Sequence, residues 1–81
     1  MERNEFLSYN DTLCKFTLKG GKEVFGIIWE NEYGNELIYF FSTAAERARF
    51  KMAEKIKDFG ACERLITRVQ LNDIVQAVLL R

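Results

Sequence analysis

The residues able to do chemistry are few in kind: twelve Lys and Arg, twelve Asp and Glu, two Cys and three Tyr in a chain of 81 residues, with no His. Histidine is the side chain that most often serves as general base and metal ligand near neutral pH. Cys14 and Cys62 stand far apart and lack the spacing of a zinc-ligand pair. They read as reduced thiols packed as small hydrophobes. The chain contains no phosphate loop, dinucleotide fingerprint or nucleophile elbow. Gly20-Gly21 reads as a hairpin turn, and Glu30 and Glu32 as solvated carboxylates at a strand end. These absences argue against most enzyme classes, so a non-enzyme is expected, with no catalytic residue, metal or cofactor.

Positive charge does cluster. Between residues 47 and 57, Arg47, Arg49, Lys51, Lys55 and Lys57 stand against Glu54 alone. Arg47, Lys51 and Lys55 recur every four residues and so share a helix face. Phe50 lies off the apolar stripe of that helix, among Glu46, Arg47, Glu54 and Lys57. Three readings stay open: a solvated face with one exposed aromatic, a patch for an acidic partner or nucleic acid with Phe50 as anchor, or a subunit contact. The formal net charge of zero counts against a dedicated nucleic-acid binder, which usually carries a basic excess. It also leaves little self-repulsion to keep copies apart.

The elements that must position these residues follow from periodicity. Residues 13–19 alternate, with Cys14, Phe16 and Leu18 on one face and Lys15, Thr17 and Lys19 on the other. Gly20-Gly21 then suits a tight turn, because both residues tolerate positive φ. Residues 23–30 and 37–41 form the next two strands, apolar on both faces and therefore in need of cover on both. Residues 31–35 read as the turn between them. Gly26 in mid-strand predicts a bend or a close backbone contact, as closing a small barrel requires. Thr43-Ala44-Ala45-Glu46 is a capping box. Ala45, Ala48, Met52, Ile56 and Phe59 follow as an apolar stripe, and Gly60 as a C-terminal cap, predicting a helix of about sixteen residues. Alternation returns over residues 64–71, with Leu65, Val69 and Leu71 inward. Asn72-Asp73 makes a turn, and residues 74–80 form the last strand. Residues 1–12 read as a helical turn or a lead-in strand.

The expected fold class is therefore α+β: a small five-stranded antiparallel barrel-like sheet in the order β-β-β-α-β-β, with one inserted amphipathic helix and one domain over residues 1–81. The 48% hydrophobic content suits a folded core rather than a disordered chain. The polar start, Met1-Glu2-Arg3-Asn4-Glu5, does not read as a signal peptide, and no apolar run reaches membrane-spanning length. A cytoplasmic location with no membrane partner is expected.

The stretch Phe16-Thr17-Leu18-Lys19-Gly20-Gly21-Lys22-Glu23-Val24-Phe25-Gly26 resembles the opening of an Sm-like domain, a small barrel related in shape to SH3-like ones. Tyr33 to Ile38 resembles that family's next loop, where an asparagine precedes the third strand, and residues 69–78 resemble its closing strand, turn and final strand. The likeness covers about 45 residues. It implies a small barrel, ring assembly and RNA binding, with Asn35 as the loop asparagine. The chain departs from the pattern at Asn72-Asp73, which stands where the family has arginine-glycine, and in the helix inserted after the third strand.

A second surface follows from the surplus of large apolar residues, Phe25, Trp29, Tyr33, Tyr39, Phe40 and Phe41, which exceeds what one small barrel holds. Either the helix covers the extra face, or Phe25, Trp29, Tyr39 and Phe41 belong to a homo-oligomer interface built from strand edges and aromatics. A ligand pocket lined by Trp29 and Tyr39 is a further alternative. The favoured expectation is a non-enzymatic interaction and assembly module that self-associates or takes a protein partner. The alternatives are nucleic-acid (RNA) binding through the basic helix and a small-molecule sensor.

Overall fold

The structure, a computed structural model, describes residues 1–80. A short helix α1 (Arg3–Phe6) leads into β1 (Thr12–Leu18), and a 3₁₀ turn connects it to β2 (Glu23–Tyr33). Next come β3 (Glu36–Ser42), α2 (Ala44–Lys55), α3 (Phe59–Arg64) and β4 (Thr67–Val69), then a second 3₁₀ turn and β5 (Ile74–Leu79). The strands form one antiparallel sheet in the order β4-β3-β2-β1-β5. The architecture is the expected α+β sheet. It is open, however: β4 and β5 are its two edges and do not pair, so the barrel that the bend at Gly26 suggested does not close.

Strand periodicity sorts the side chains onto two faces. On the first, Cys14, Phe16, Ile28, Tyr39, Ile74 and Ala77 are buried against Phe6 of α1. Phe6 meets the ring of Tyr39 edge-on, with centroids 5.2 Å apart. On the second, Trp29 packs with Phe50 and Ala53 of α2 and Cys62 of α3, flanked by Ile27 and Phe40. This is the cover that the two-sided apolar strands demanded.

The β1–β2 hairpin turns through Gly20 and Gly21, both at φ +88°, a conformation that L side chains rarely adopt. Gly26, opposite Cys14, sits in contact with its neighbour strand. A Cβ there would collide with the Ser42 carbonyl oxygen and lie 2.8 Å from two ring carbons of Phe41. The mid-strand glycine therefore marks a close approach between β2 and β3.

The helical region departs from the periodicity reading. Thr43 does cap α2 in a capping box, its hydroxyl accepting from the Glu46 amide while the Glu46 carboxylate accepts from the Thr43 amide. But α2 has twelve residues, not about sixteen. Lys57 takes the left-handed conformation (φ +59°) that Gly60 was expected to supply. Asp58 then caps a new helix, its side chain accepting from the Ala61 amide, and Gly60 lies inside α3. The buried face of α2 also lies elsewhere. Phe50 is only 6% exposed, whereas Met52, Ile56 and Phe59 are 63%, 75% and 65% exposed. The strand expected over residues 64–71 shrinks to Thr67–Val69 because α3 takes its first residue, and β2 runs on to Tyr33, leaving a turn only at Gly34-Asn35.

Candidate functional site

The capping box fixes where α2 starts, and Trp29 fixes how it is rotated. The indole faces α2 from β2 and takes the Phe50 ring at 5.2 Å between centroids. That rotation swings Arg47, one turn earlier, over the same indole. Its guanidinium carbon lies 3.9 Å from the Trp29 centroid and 5.4 Å from that of Phe50. Arg47 Nε also donates to Asp11 Oδ1 at 2.9 Å, and Lys51 Nζ stands 3.8 Å from the other Asp11 oxygen. Arg47 is thus a packing residue, with a cation–π stack and an ion pair holding α2 to the sheet. Lys55 is exposed. Of the expected basic surface, Phe50 is buried and Arg47 and Lys51 are turned towards Asp11.

The four aromatics expected on one apolar surface do not meet. Trp29 lies under α2, while Tyr39 and Phe41 point to the α1 face, Tyr39 buried and Phe41 half-buried. Only Phe25 is exposed, at 58%. It stands on the part of the α2 face that the helices leave bare, directly across from Lys15, which in turn faces Val78. A pocket lined by both Trp29 and Tyr39 is ruled out because the sheet separates them. Asn35 is exposed at the β2–β3 turn beside Gly34 (φ +57°).

Glu30, expected in solvent, is instead the centre of a network. Arg3 donates to both its oxygens at 2.9 Å, and the Tyr39 hydroxyl donates to Oε2 at 3.0 Å. The arginine hydrogen bonds hold the Glu30 carboxyl below the usual carboxylate range, with Tyr39 adding to this and burial opposing it. Burial and the hydrogen bond to Glu30 raise Tyr39. The arrangement ties α1 to β2 and β3. It has the makings of a clamp rather than an acid–base pair, because the carboxylate is fully engaged.

Both thiols are free and buried. Burial raises Cys14; burial, then the charges of Glu54 and Asp58, raise Cys62. Neither is the low-pKa, accessible thiol that nucleophilic chemistry requires. Among the described residues, no three His, Cys, Asp or Glu side chains come together as a metal site, and no helix is long and apolar enough to cross a membrane.

The feature that periodicity missed is a cavity of about 170 Å³ where α2 and α3 meet the far end of the β2–β3 pair, lined by Tyr33, Phe40, Phe50 and Phe59 with Glu54, Cys62, Glu63 and Ile66. It exists because the helix breaks at Lys57. Asp58, a residue type that caps helices, is the one signal in the sequence for a second helix. Comparison with protein-family models, curated proteins and solved structures gives no match to this chain.

Proposed function

We propose that this chain is a non-catalytic assembly module that associates with copies of itself, edge to edge, through β5 and β4. The observation that carries this reading is the open edge of β5. Residues 74–80, Ile-Val-Gln-Ala-Val-Leu-Leu, contain no charge and no proline. Those are two of the devices by which sheet edges ordinarily avoid pairing with another chain. Val75, Val78, Leu79 and Leu80 are all exposed. Val78, Lys15 and Phe25 form a cross-strand row, so the bare edge borders two exposed apolar side chains with a lysine between them.

The opposite edge, β4, is short and presents Thr67-Arg68-Val69. Pairing β5 of one copy with β4 of the next is a head-to-tail contact, and such contacts form rings where the rotation closes. Five antiparallel strands in one small sheet are compatible with the small-barrel shape that the resemblance to Sm-like domains implies, for which ring assembly is the expected state.

Absolute mass by light scattering on a sizing column at moderate salt tests the reading. The expected result is a single species at a multiple of the 9.5 kDa protomer. A protomer mass across the accessible concentration range overturns it.

A further inference from the structure

We propose that the cavity between α2, α3 and the β2–β3 end binds a trimethylammonium head group, as carried by choline-like small molecules or by trimethylated lysine. The lining selects this chemistry. Four aromatic rings, those of Tyr33, Phe40, Phe50 and Phe59, border the space. Aromatic faces carry negative potential and attract cations, most strongly those that shed water easily, and quaternary ammonium groups are the ligands such walls recognise. Two of the rings, Tyr33 and Phe59, are more than half exposed although aromatic, and they stand at the rim.

Charge points the same way. Glu54 and Glu63 both line the cavity, and among the described residues no Lys or Arg does. Neither glutamate has an ion-pair partner among the described residues, so both charges are left to face the cavity and solvent. Burial first, and then the charges of Glu54 and Asp58, raise the pKa of Cys62 on the cavity wall. A precedent lies next door: the Trp29–Phe50 pair already holds one cation, the Arg47 guanidinium. The size also fits. At about 170 Å³ the cavity is of the order that accepts a benzene-sized group, and a trimethylammonium head is no larger. A metal ion is a poorer match, because the described residues bring no three His, Cys, Asp or Glu side chains together as ligands.

The test is a titration of the full chain with choline chloride, read by the emission of Trp29, the only tryptophan, which touches Phe50, and by the ring proton resonances of Tyr33, Phe40 and Phe59. Saturable shifts are expected with choline but not with its neutral isostere, in which carbon replaces the quaternary nitrogen. Phe59→Ala, at an exposed position, and the pair Glu54→Gln with Glu63→Gln should each weaken binding about tenfold while the thermal midpoint stays in place. Equal binding of the neutral isostere, unchanged affinity in both variants, or ring resonances that do not move under saturating choline overturns the proposal. A peptide bearing trimethyl-lysine separates the two sources: tighter binding than choline assigns the site to a modified protein, and equal or weaker binding to the small quaternary ammonium compound.

Discussion

Arg47 lies over the indole of Trp29, its guanidinium carbon 3.9 Å from the ring centroid and its Nε donating to Asp11. A residue that charge counting would place on a solvated face thus pins a helix to a sheet. Arg47→Ala should destabilise the fold by roughly 1–3 kcal/mol, from the lost stack, ion pair and apolar cover. Arg47→Glu should cost more, by placing like charge beside Asp11. Lys55→Glu should fall within about 0.5 kcal/mol of wild type. Urea midpoints for the three variants check the order.

Gly26→Ala is expected to cost roughly 3 kcal/mol, because the new Cβ meets the backbone carbonyl of Ser42 as well as the Phe41 ring, and backbone cannot turn aside as a side chain can. Gly26→Val should prevent folding. Thermal denaturation followed by circular dichroism decides this, and wild-type stability in the alanine variant would contradict the close β2–β3 contact.

Acid should loosen the clamp at Glu30. Its carboxyl titrates below the ordinary value of 4.5, chiefly through Arg3. A lowered folded pKa contributes stability that is fully present above the unfolded value and is lost as pH falls through the folded one. Stability should therefore drop as pH falls below about 4.5, and Arg3→Gln should flatten that part of the curve. Urea midpoints at stepped pH values for both proteins provide the comparison.

Val75 is 60% exposed and has no partner on β1, because the register slips between Thr17 and Leu18. Val75→Lys should leave the protomer as stable as wild type and shift the light-scattering mass towards one protomer, since a lysine on an edge opposes pairing. An unchanged oligomer would move the interface away from β5.

Both thiols should resist an aromatic disulfide reagent in the native state and react on unfolding, Cys14 the slower of the two because it is fully buried. Rapid labelling of Cys14 under native conditions would place it outside the α1-side cluster.

The hairpin was legible because two independent signals agreed: alternation around Cys14, Phe16 and Leu18, and a Gly-Gly turn that needs positive φ. The start of α2 was legible for the same reason, since Thr43 and Glu46 stand at capping-box spacing just where the period changes. Its buried face was not. Ala45, Ala48, Met52 and Ile56 satisfy helical periodicity as well as any core stripe does, but the recess beside Trp29 takes a ring, and only Phe50 offers one. Pairing of that kind depends on what lies across the interface, and periodicity along one element carries no record of it. The end of α2 was hidden similarly, because a lysine at φ +59° did what glycine usually does. The cavity and its two glutamates followed from that break and were out of reach until the break was known.

The pairing of β1 with β5 joins segments from opposite ends of the chain, and it has a consequence for synthesis. Until Ile74–Leu79 emerges, β1 carries a naked edge and the α1-side cluster lacks Ile74 and Ala77. The nascent chain can complete the Trp29 side early, since β2, β3, α2 and α3 are contiguous. The other side waits for the final strand. Ribosome-bound intermediates should therefore be half-built in a defined sense, with one face of the sheet dressed and the other sticky, and they should be the species that chaperones meet.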